Sequence, residues 1–337
     1  MHGEDGNNLP LLSVVIKAFN EEKNIAACIR SVQAATQAWR TEIIVADSCS
    51  MDRTAEVAAG LGATVVRFVN SAERSCGAGG QLGFQFAQGK YLLMLDGDME
   101  LVPGFLEESV AMLEQDPRLA GVGGLLEEKS YTIEFQQRAS RVDASYKLGR
   151  VPCLNSGGVY RMEALRDVGY FTNRNLHSRE EFELGVRLGS RGWTMMRIGV
   201  VAVTHYGHTI SSWTLLGRRW RSRYFHGYGE LLRAAYGKPH FMMAVRTSVL
   251  FFAVVAWWIS LLAAALAGAA TGDGEVLLAA LALAVLPLLL LLLRKRNVLV
   301  AAYTMTLWNV IAAAMVQGLF HPQVDPAAPI QAEIVNP

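Results

Sequence analysis

The sequence has almost no net charge and few cysteines. Across 337 residues, 31 Lys and Arg residues balance 30 Asp and Glu residues, which leaves a formal charge of +1. Binding to a nucleic-acid backbone needs a strongly basic face, so this balance gives no support for a nucleic-acid partner. The four cysteines lack the C-x-x-C spacing of a zinc or redox site. Residues 1–10 are polar and acidic, unlike a secretory signal, so we expect a flexible tail before a cytosolic domain with reduced thiols.

Charge is also scarce in the C-terminal third. Hydrophobic residues make up 52% of the chain and charged residues 18%, and most of the charges precede Arg246. A chain of this length exceeds the usual single domain. We therefore predict a soluble domain over residues 11–210, basic aromatic interfacial helices over 211–246, three transmembrane helices over 247–320 and a tail over 321–337.

Three apolar segments support the membrane part. Residues 247–270, 276–293 and 298–320 each approach the roughly 20 residues that cross a bilayer core of about 30 Å. By the positive-inside rule, the basic loop at 294–296 and the arginine-rich stretch before the first segment are cytoplasmic. Three crossings predict a multi-pass protein of the inner (plasma) membrane, with the soluble domain inside and the tail after His321 outside. The alternative is a helical hairpin buried in a soluble core.

The soluble part alternates between predicted strands and helices. Strands are predicted at residues 11–18, 42–46, 64–68, 91–95 and 193–203, and a helix at 178–190. This alternation indicates parallel βαβ units around a buried sheet. Asp96, Gly97 and Asp98 directly follow the fourth strand, at the end where open α/β sheets place their ligand sites.

Acidic residues follow three of the predicted strands and converge on one edge of the sheet. They are Glu21, then Asp47 with Asp52, then Asp96 with Asp98. A ligand with ring donors and a metal-chelated diphosphate accounts for all of them, because Mg²⁺ and Mn²⁺ take oxygen ligands and bridge phosphate oxygens. The plain alternative is a set of acidic residues in solvated loops.

Four stretches follow one another along the soluble part: VVIKAFNEE at 14–22, IIVADSCSMDRT at 43–54, AQGKYLLMLDGD at 87–98 and EEFELGVRL at 180–188. In this order they resemble the inverting family 2 glycosyltransferases with the GT-A fold. The resemblance covers residues 11–220. It implies an α/β fold, in which a Rossmann-like GT-A domain with a mostly parallel sheet binds a nucleotide-sugar and precedes an α-helical transmembrane domain.

The resemblance also implies a donor site and a Mg²⁺ or Mn²⁺ cofactor. It places Glu21, Asp47 and Asp52 around the nucleoside, with Asp47 at the base, and gives the ribose, diphosphate and metal to Asp96 and Asp98. The wider predicted donor site, with a UDP-sugar favoured, adds Ala18, Asn20, Arg74 and Gly97. His205 is a further candidate metal ligand, although a structural role is the commoner one for such a histidine. Arg74 either contacts phosphate or is an ordinary solvated arginine.

Glu181 occupies the place of the second carboxylate in the E-D motif of the family, and we predict that it is the general base for an acceptor hydroxyl. Alternatively, Glu180, Glu181 and Glu183 only complement the dipole of a first helical turn. The predicted acceptor or diphosphate loop comprises Gly157, Gly158, Glu180, Arg219 and Trp220.

The sequence departs from the family pattern in several places. Lys17 stands where proline is usual, and Ser48-Cys49 replaces the commoner Asp-Gly. Only Arg219 and Trp220 remain of the Q-x-x-R-W motif of processive synthases, which argues against a polymerase. The glycine-rich stretch at 77–83 lacks the spacing of a dinucleotide-binding loop and is predicted to form a turn near the donor.

The leading functional prediction is metal-dependent, inverting transfer of a sugar to a hydroxyl of a membrane-associated, lipid-linked acceptor at the cytoplasmic face. A polyprenyl-phosphate sugar synthase stays open, although a phosphate acceptor is already ionised and needs no general base. The alternative from another class is a non-catalytic membrane protein with a degenerate sugar-nucleotide domain. Intact Asp96, Asp98 and Glu181 argue against it.

Overall fold

The computed structural model describes residues 11–129, 147–154, 156–207 and 210–335. The chain divides into two compact units. One comprises Met1–Thr209 together with Gln323–Pro337, and the other comprises Ile210–Pro322. The first unit is an α/β domain and the second is helical.

The first unit is built on one sheet, which has ten strands within the described residues. They are β1 Leu12–Ala18, β2 Thr41–Asp47, β3 Thr64–Phe68, β4 Tyr91–Asp96, β5 Met99–Leu101, β6 Leu119–Glu128, β7 Gly149–Arg150, β8 Val159–Arg161, β9 Thr194–His205 and β10 Ala332–Val335. Their order is β10-β3-β2-β1-β4-β8-β6-β9-β5, and β7 pairs with β9. This mixed sheet confirms the predicted α/β class. Strands β3, β2, β1 and β4 are parallel as predicted, whereas β8 runs antiparallel to both β4 and β6.

Helices cover both faces of the sheet. On one face lie α1 Ile25–Ala35, α2 Thr54–Gly60 and α4 Phe105–Gln115, and on the other lie α3 Cys76–Phe86, α5 Met162–Asp167 and α6 Glu180–Ser190. Because side chains alternate along a strand, Val14 and Ile16 of β1 join one apolar cluster and Val15 joins the other. A strand buried on both faces needs consecutive apolar residues, and β1 has them at residues 14–16.

The glycine-rich stretch at 77–83 forms most of helix α3, so the prediction of a turn there is wrong. Ser75 starts the helix, since its hydroxyl accepts a hydrogen bond from the Ala78 backbone N–H. The glycines allow close packing: a Cβ added at Gly83 would lie 2.3 Å from a methyl carbon of Val15. Helical glycine costs about 1 kcal/mol relative to alanine, and here the loss allows α3 to approach β1 directly.

The chain returns to the sheet at its C-terminal end. β10 runs antiparallel to β3, with Ala332 opposite Phe68 and Val335 opposite Val65. A strand that completes a sheet lies on the same side of a membrane as that sheet, since an open sheet cannot cross a bilayer. The prediction that the tail after His321 lies on the opposite side from the soluble domain is therefore wrong.

The second unit is entirely helical within its described residues. It comprises α7 Ser212–Arg221, a 3₁₀ turn at Tyr224–His226, α8 Gly227–Ala235, α9 Phe241–Thr271, α10 Gly274–Lys295 and α11 Val298–Leu319. The last three are long and apolar enough to cross a membrane, with mean hydropathies of 2.5, 3.1 and 1.7 over their most apolar stretches. α9 begins at Phe241, before the predicted start at residue 247, so Arg246 lies within the helix.

Candidate active site

The C-terminal ends of β1, β2 and β4 lie side by side and carry most of the predicted site. Ala18 pairs with Asp47, and Lys17 pairs with Asp96, so the register brings the three strand ends level. The backbone of Gly97 donates a hydrogen bond to the Lys17 carbonyl, which continues this alignment past the end of β4. The convergence predicted from the parallel pattern is therefore present.

Asp47 is fully buried at the end of β2 and is held by two partners. Arg67 on β3 donates from Nε to Asp47 Oδ2 at 2.6 Å, and the backbone of Ser50 donates to the same carboxylate at 3.1 Å. A buried carboxylate with a charged partner and backbone donors is fixed in orientation. Its contact with a base stays a prediction.

Asn20 links the loop after β1 to the loop after β2. Its backbone N–H donates to Ser50 Oγ at 2.9 Å, and its side-chain oxygen accepts from the Met51 N–H at 2.8 Å. Asn20 has a φ of +56°, in the left-handed region that asparagine tolerates better than most residues. The two loops are thus held together before any ligand binds.

Asp52 and Glu21 brace the same pair of loops. Asp52 accepts hydrogen bonds from the Glu22 backbone at 3.2 Å and from the Thr54 backbone at 3.1 Å. Burial raises the pKa of Asp52, but these bonds and one from the Thr54 hydroxyl together outweigh burial and lower the pKa. The backbone of Glu21 donates to Thr54 Oγ1, and its carboxylate accepts from Asn24. Asp52 and Glu21 therefore have a structural role, because they hold the loops after β1 and β2 together.

Lys17 lies at the centre of the acidic edge, where it separates two carboxylates. Its Nζ is 3.1 Å from Asp96 Oδ1 and 3.2 Å from Glu180 Oε1. Burial alone would lower the pKa of Lys17, but the negative charges of Asp96 and Glu180 outweigh that effect and raise it. The ammonium therefore stays charged and keeps the first turn of α6 beside the end of β4.

Ser156 joins Asp96 to Glu181. Its Oγ lies 2.8 Å from Asp96 Oδ2 and 2.9 Å from Glu181 Oε1. A serine hydroxyl has one hydrogen to donate, so two such bonds require a proton on one of the carboxyl groups. Burial, helped by the nearby charge of Glu180 and opposed by Lys17, raises the pKa of Glu181 to about 7. The shared proton therefore belongs to Glu181.

Glu183 does not belong to this network. Arg187 contacts its carboxylate at 2.9 Å, and the Tyr170 hydroxyl donates to it at 2.8 Å. Arg187 also donates to backbone carbonyls of residues 168, 170 and 171, so the pair fastens α6 to the preceding loop. Of the three acidic residues at the start of α6, Glu183 has the structural role.

Asp98 faces His205, which ends the neighbouring strand β9. His205 Nε2 is 3.3 Å from Asp98 Oδ2, and its Nδ1 is 2.8 Å from Glu128 Oε2. Burial would lower the pKa of His205, but hydrogen bonds to both carboxylates raise it to about 10.

The Asp98–His205 pair has the spacing of two ligands of one divalent cation. Ligands about 2.1 Å from an octahedral ion lie roughly 3 Å apart, close to the Nε2–Oδ2 distance of 3.3 Å. Glu128 on the far ring nitrogen is the kind of outer partner that orients a metal-binding histidine. Binding an ion would require the His205 proton to leave, so affinity would rise with pH. Carboxylate and imidazole ligands together suit Mn²⁺ better than Mg²⁺.

The loop at 156–158 packs under the same edge. Gly157 has a φ of +87°, and its N–H donates to the Met94 carbonyl at 2.8 Å, while the Gly158 carbonyl accepts from the Met94 N–H. Only glycine adopts this φ without strain, so the loop can lie flat against β4 and present Ser156 to Asp96.

Arg74 is held by the first unit itself. It donates to the carbonyls of Ser48 and Ser71, and its guanidinium lies 5.0 Å from the centre of the Phe19 ring. These contacts place it near the end of β2, beside the predicted donor loops. They favour neither of the two roles considered for it over the other.

Some predicted residues lie elsewhere. Arg219 and Trp220 belong to helix α7 of the second unit, where Arg219 stacks 4.8 Å from the Tyr224 ring. Their role at an acceptor stays a prediction. Asn155, which precedes the predicted loop glycines, and His208, which is close in sequence to the candidate metal ligand His205, lie outside the described residues.

Sequence reasoning missed Arg67 and Glu128, and it noted the loop that contains Ser156 without giving this serine a role. Glu128 ends a strand that pairs with β9 through several register shifts, so its approach to His205 has no sequence signal. Ser156 stood one residue before the predicted loop glycines, and its neighbour Gly157 was the available clue. Arg67 lies within β3, a mostly apolar strand, where the sequence gives no reason to expect a cation that pairs with a buried carboxylate.

We expect Lys17→Met to destabilise the first unit. The change leaves Asp96 and Glu180 without their shared cation, and breaking a largely buried ion pair costs about 3 kcal/mol. The melting temperature of the full chain in detergent should fall by roughly 5–10 °C. The matched control is Lys23→Met, which removes an exposed lysine and should leave melting unchanged. Equal melting of the two variants would show that the Lys17 contacts contribute no stability.

Comparison with known proteins identifies the class of this fold. A mannosyltransferase, PcManGT from Pyrobaculum calidifontis, solved in complex with GDP-Man and Mn²⁺, superposes with a TM-score of 0.62. It is 19% identical, and the match covers 92% of this chain and 87% of that protein. At this identity the likeness shows the fold alone, which is GT-A-like.

Part of the sequence also matches a known protein family. Residues 13–169 match the family described as Glycosyl transferase family 2. The low-salt glycan biosynthesis hexosyltransferase Agl6 of Haloferax volcanii is 40% identical over 96 residues, 28% of this chain and 22% of that protein. The succinoglycan biosynthesis protein ExoO of Rhizobium meliloti is 25% identical over 196 residues, 54% of each. The chain thus spans about half or less of the length of these curated relatives, and its likeness to the family lies within residues 13–169, less than half of the chain.

Proposed function

We propose that this protein is an inverting glycosyltransferase that moves a sugar from a nucleotide-sugar to a hydroxyl of a membrane-associated, lipid-linked acceptor. The observation that carries the proposal is the continuous acidic edge at the ends of β1, β2 and β4. In it, Ser156 couples Asp96 to a Glu181 whose pKa is raised to about 7. A carboxylate poised near neutral pH suits general base catalysis.

In the proposed reaction, the bond between the anomeric carbon and the diphosphate oxygen breaks while an acceptor oxygen bonds to the opposite face of that carbon. The acceptor proton passes to Glu181, and the electron pair of the broken bond leaves with the nucleoside diphosphate. Asp98, Asp96 and His205 would hold a Mg²⁺ or Mn²⁺ ion, which supplies positive charge next to the leaving diphosphate when bound. Asp47, Asn20 and the braced loops around Asp52 would hold the nucleoside, and Arg74 would contact a phosphate.

The second candidate is a polyprenyl-phosphate sugar synthase. Its acceptor is an ionised phosphate, which has no proton for a base to take. The raised pKa of Glu181 favours the hydroxyl acceptor, because tuning a carboxyl group toward neutral pH serves proton transfer.

The pH dependence of transfer tests the role of Glu181. A general base works only when ionised, so a pKa of about 7 predicts that kcat/KM is constant above that pH and falls below it. The expected slope is about tenfold per pH unit on the acidic side. Steady-state rates are measured between about pH 5.5 and pH 9 at fixed free Mn²⁺. They should show this fall of kcat/KM at acidic pH for the wild-type protein, and Glu181→Gln should not show it. A flat acidic profile would contradict the assignment.

The donor is identified by a direct assay. Purified protein with Mn²⁺ is incubated with UDP-, GDP- and dTDP-sugars in the presence of a lipid extract, and release of nucleoside diphosphate is measured. We expect one nucleotide class to be consumed, with a UDP-sugar favoured, and release to require the lipid fraction. Absence of release with every donor would refute the proposed function.

A further inference from the structure

The two ends of the helical unit connect to the same folded domain. Besides the β10–β3 pairing, Val324 exchanges two hydrogen bonds with the Asn175 side chain, both of 2.8 Å. Ile330 is 4% exposed, and its backbone bonds in both directions to the Gln85 amide. The segment from Val324 to Val335 is thus an integral part of the first unit. If any of the intervening chain crosses a membrane, it crosses an even number of times.

Three helices have the length and composition of membrane spans, so at least one does not cross. α9 and α10 are only 11% and 6% buried over their most apolar stretches, and they have mean hydropathies of 2.5 and 3.1. α11 is 39% buried and has a mean hydropathy of 1.7. Exposed apolar surface on this scale needs lipid, and α9 and α10 carry most of it.

Protein covers α11 close to both of its ends. Near its start, Tyr303 stacks edge-on against Trp213 of α7, with ring centroids 5.3 Å apart. Near its end, His226 contacts Gln317 at 3.1 Å, and a Cβ at Gly318 would lie 2.2 Å from the His226 carbonyl oxygen. The covering layer of α7, the 3₁₀ turn and α8 therefore follows much of the length of α11.

That layer is too charged for the bilayer core. It carries five arginines and a buried Glu230, and charged groups are expensive at membrane depth. These arginines are Arg218, Arg219, Arg221, Arg223 and Arg233. Since α11 lies against this layer near each end, it cannot run perpendicular to the membrane without drawing the arginines inside.

The basic residues at the two ends of α11 give independent support. Arg294, Lys295 and Arg296 precede the helix, while Arg233 donates to the Leu319 carbonyl at its end and Arg223 contacts His321. A crossing helix normally has its basic flank on one side only. By contrast, Asp273 lies in the turn between α9 and α10, Glu275 lies in the first turn of α10, and residues 271–275 include no cation.

We propose that the chain crosses the bilayer twice, through α9 and α10, and that α11 lies along the cytoplasmic surface with α7 and α8. The hairpin is closely packed at its tip, since a Cβ on Gly268 would lie 2.7 Å from the Leu277 side chain. α10, with 22 residues, is about 33 Å long and matches a bilayer core. α11 is then an apolar helix at the membrane surface, packed against the arginine-bearing helices α7 and α8, whose arginines lie at the depth of anionic headgroups.

Cysteine accessibility in intact cells tests this topology. Single substitutions are placed at the hairpin tip (Asp273→Cys), at the start and end of α11 (Val298→Cys, Phe320→Cys) and beside β10 (Gln331→Cys). Each of these side chains is exposed. Labelling by an impermeant thiol reagent is compared before and after permeabilisation, and the wild-type chain with its four native cysteines gives the background. An unchanged melting temperature in detergent, or retained binding of a nucleotide-sugar analogue, confirms that each variant is folded.

We expect Asp273→Cys to label fully in intact cells, and the other three to stay at background until the membrane is opened. Labelling of Phe320→Cys and Gln331→Cys from outside, with Val298→Cys protected, would mean that α11 crosses and would overturn the proposal. Protection of Asp273→Cys would also overturn it, because the hairpin would then not cross. The experiment reads membrane position alone, so its result does not depend on whether the protein transfers a sugar.

Discussion

Asp98→Asn is expected to lower the rate of sugar transfer by roughly 10²–10³-fold while leaving the fold intact. The substitution keeps the size and polarity of the side chain but removes the charge that faces His205 Nε2 at 3.3 Å. Asp98 follows β4 at the edge of the sheet and contributes no apolar packing, so melting should change little. Transfer rates at saturating donor over a Mn²⁺ titration are the measurement.

The matched control is Asp116→Asn, the same change at the end of α4, which should transfer at the wild-type rate. Chelation by EDTA should silence the wild-type enzyme, and added Mn²⁺ should restore it. Direct Mn²⁺ binding, read by electron paramagnetic resonance without any donor, should weaken in Asp98→Asn. Full activity of this variant at saturating Mn²⁺, or turnover that resists EDTA, would remove the metal from the mechanism.

Glu181→Gln is expected to lower transfer by about 10²-fold or more while donor affinity barely changes. Glutamine keeps the shape and the hydrogen bond to Ser156 but cannot accept a proton from the acceptor. Slow hydrolysis of the donor by water should persist, because Asp96 and Asp98 are untouched. Donor affinity and transfer rate are measured on the same preparation.

Glu108→Gln is the control for a purely helical role. Glu108 lies in the first turn of α4, as Glu181 lies in the first turn of α6, so both changes remove the same favourable dipole contact. If Glu181 did no more than this, both variants would lose less than about 1 kcal/mol of stability and keep their activity. A parallel loss of donor affinity and rate in Glu181→Gln would instead assign Glu181 to the donor site.

The sequence predicted those parts of the site that depend on parallel strands. Asp47 and Asp96 each end a strand of the β2-β1-β4 set, and the ends of neighbouring parallel strands must meet. The resemblance added Glu181, whose helix starts far along the chain, because no local pattern relates α6 to the end of β4. The contact is made by Lys17, a residue that had been noted only as a departure from the family.

Other features could not be predicted because they depend on distant pairing. Glu128 reaches His205 only because β6 and β9 run side by side. The two residues are far apart in the chain, and no sequence pattern indicates that their strands pair. β10 has four residues, too few for a strand pattern to stand out from a polar tail. Its absence from the prediction also led to the wrong side for the tail, since the positive-inside rule counts crossings and contains no information on tertiary pairing.

The late position of β10 in the chain determines when the sheet can be completed. During synthesis β3 forms early, whereas its outer neighbour emerges only after every apolar helix has been made. Until then β3 is an open edge with unpaired backbone groups, which is the kind of surface that recruits other strands. The edge of the sheet can therefore close only after the three long apolar helices have been synthesised. A soluble fragment cut before α7 would keep that edge open permanently, whereas one that rejoins residues 323–335 to the end of β9 would carry its own closing strand.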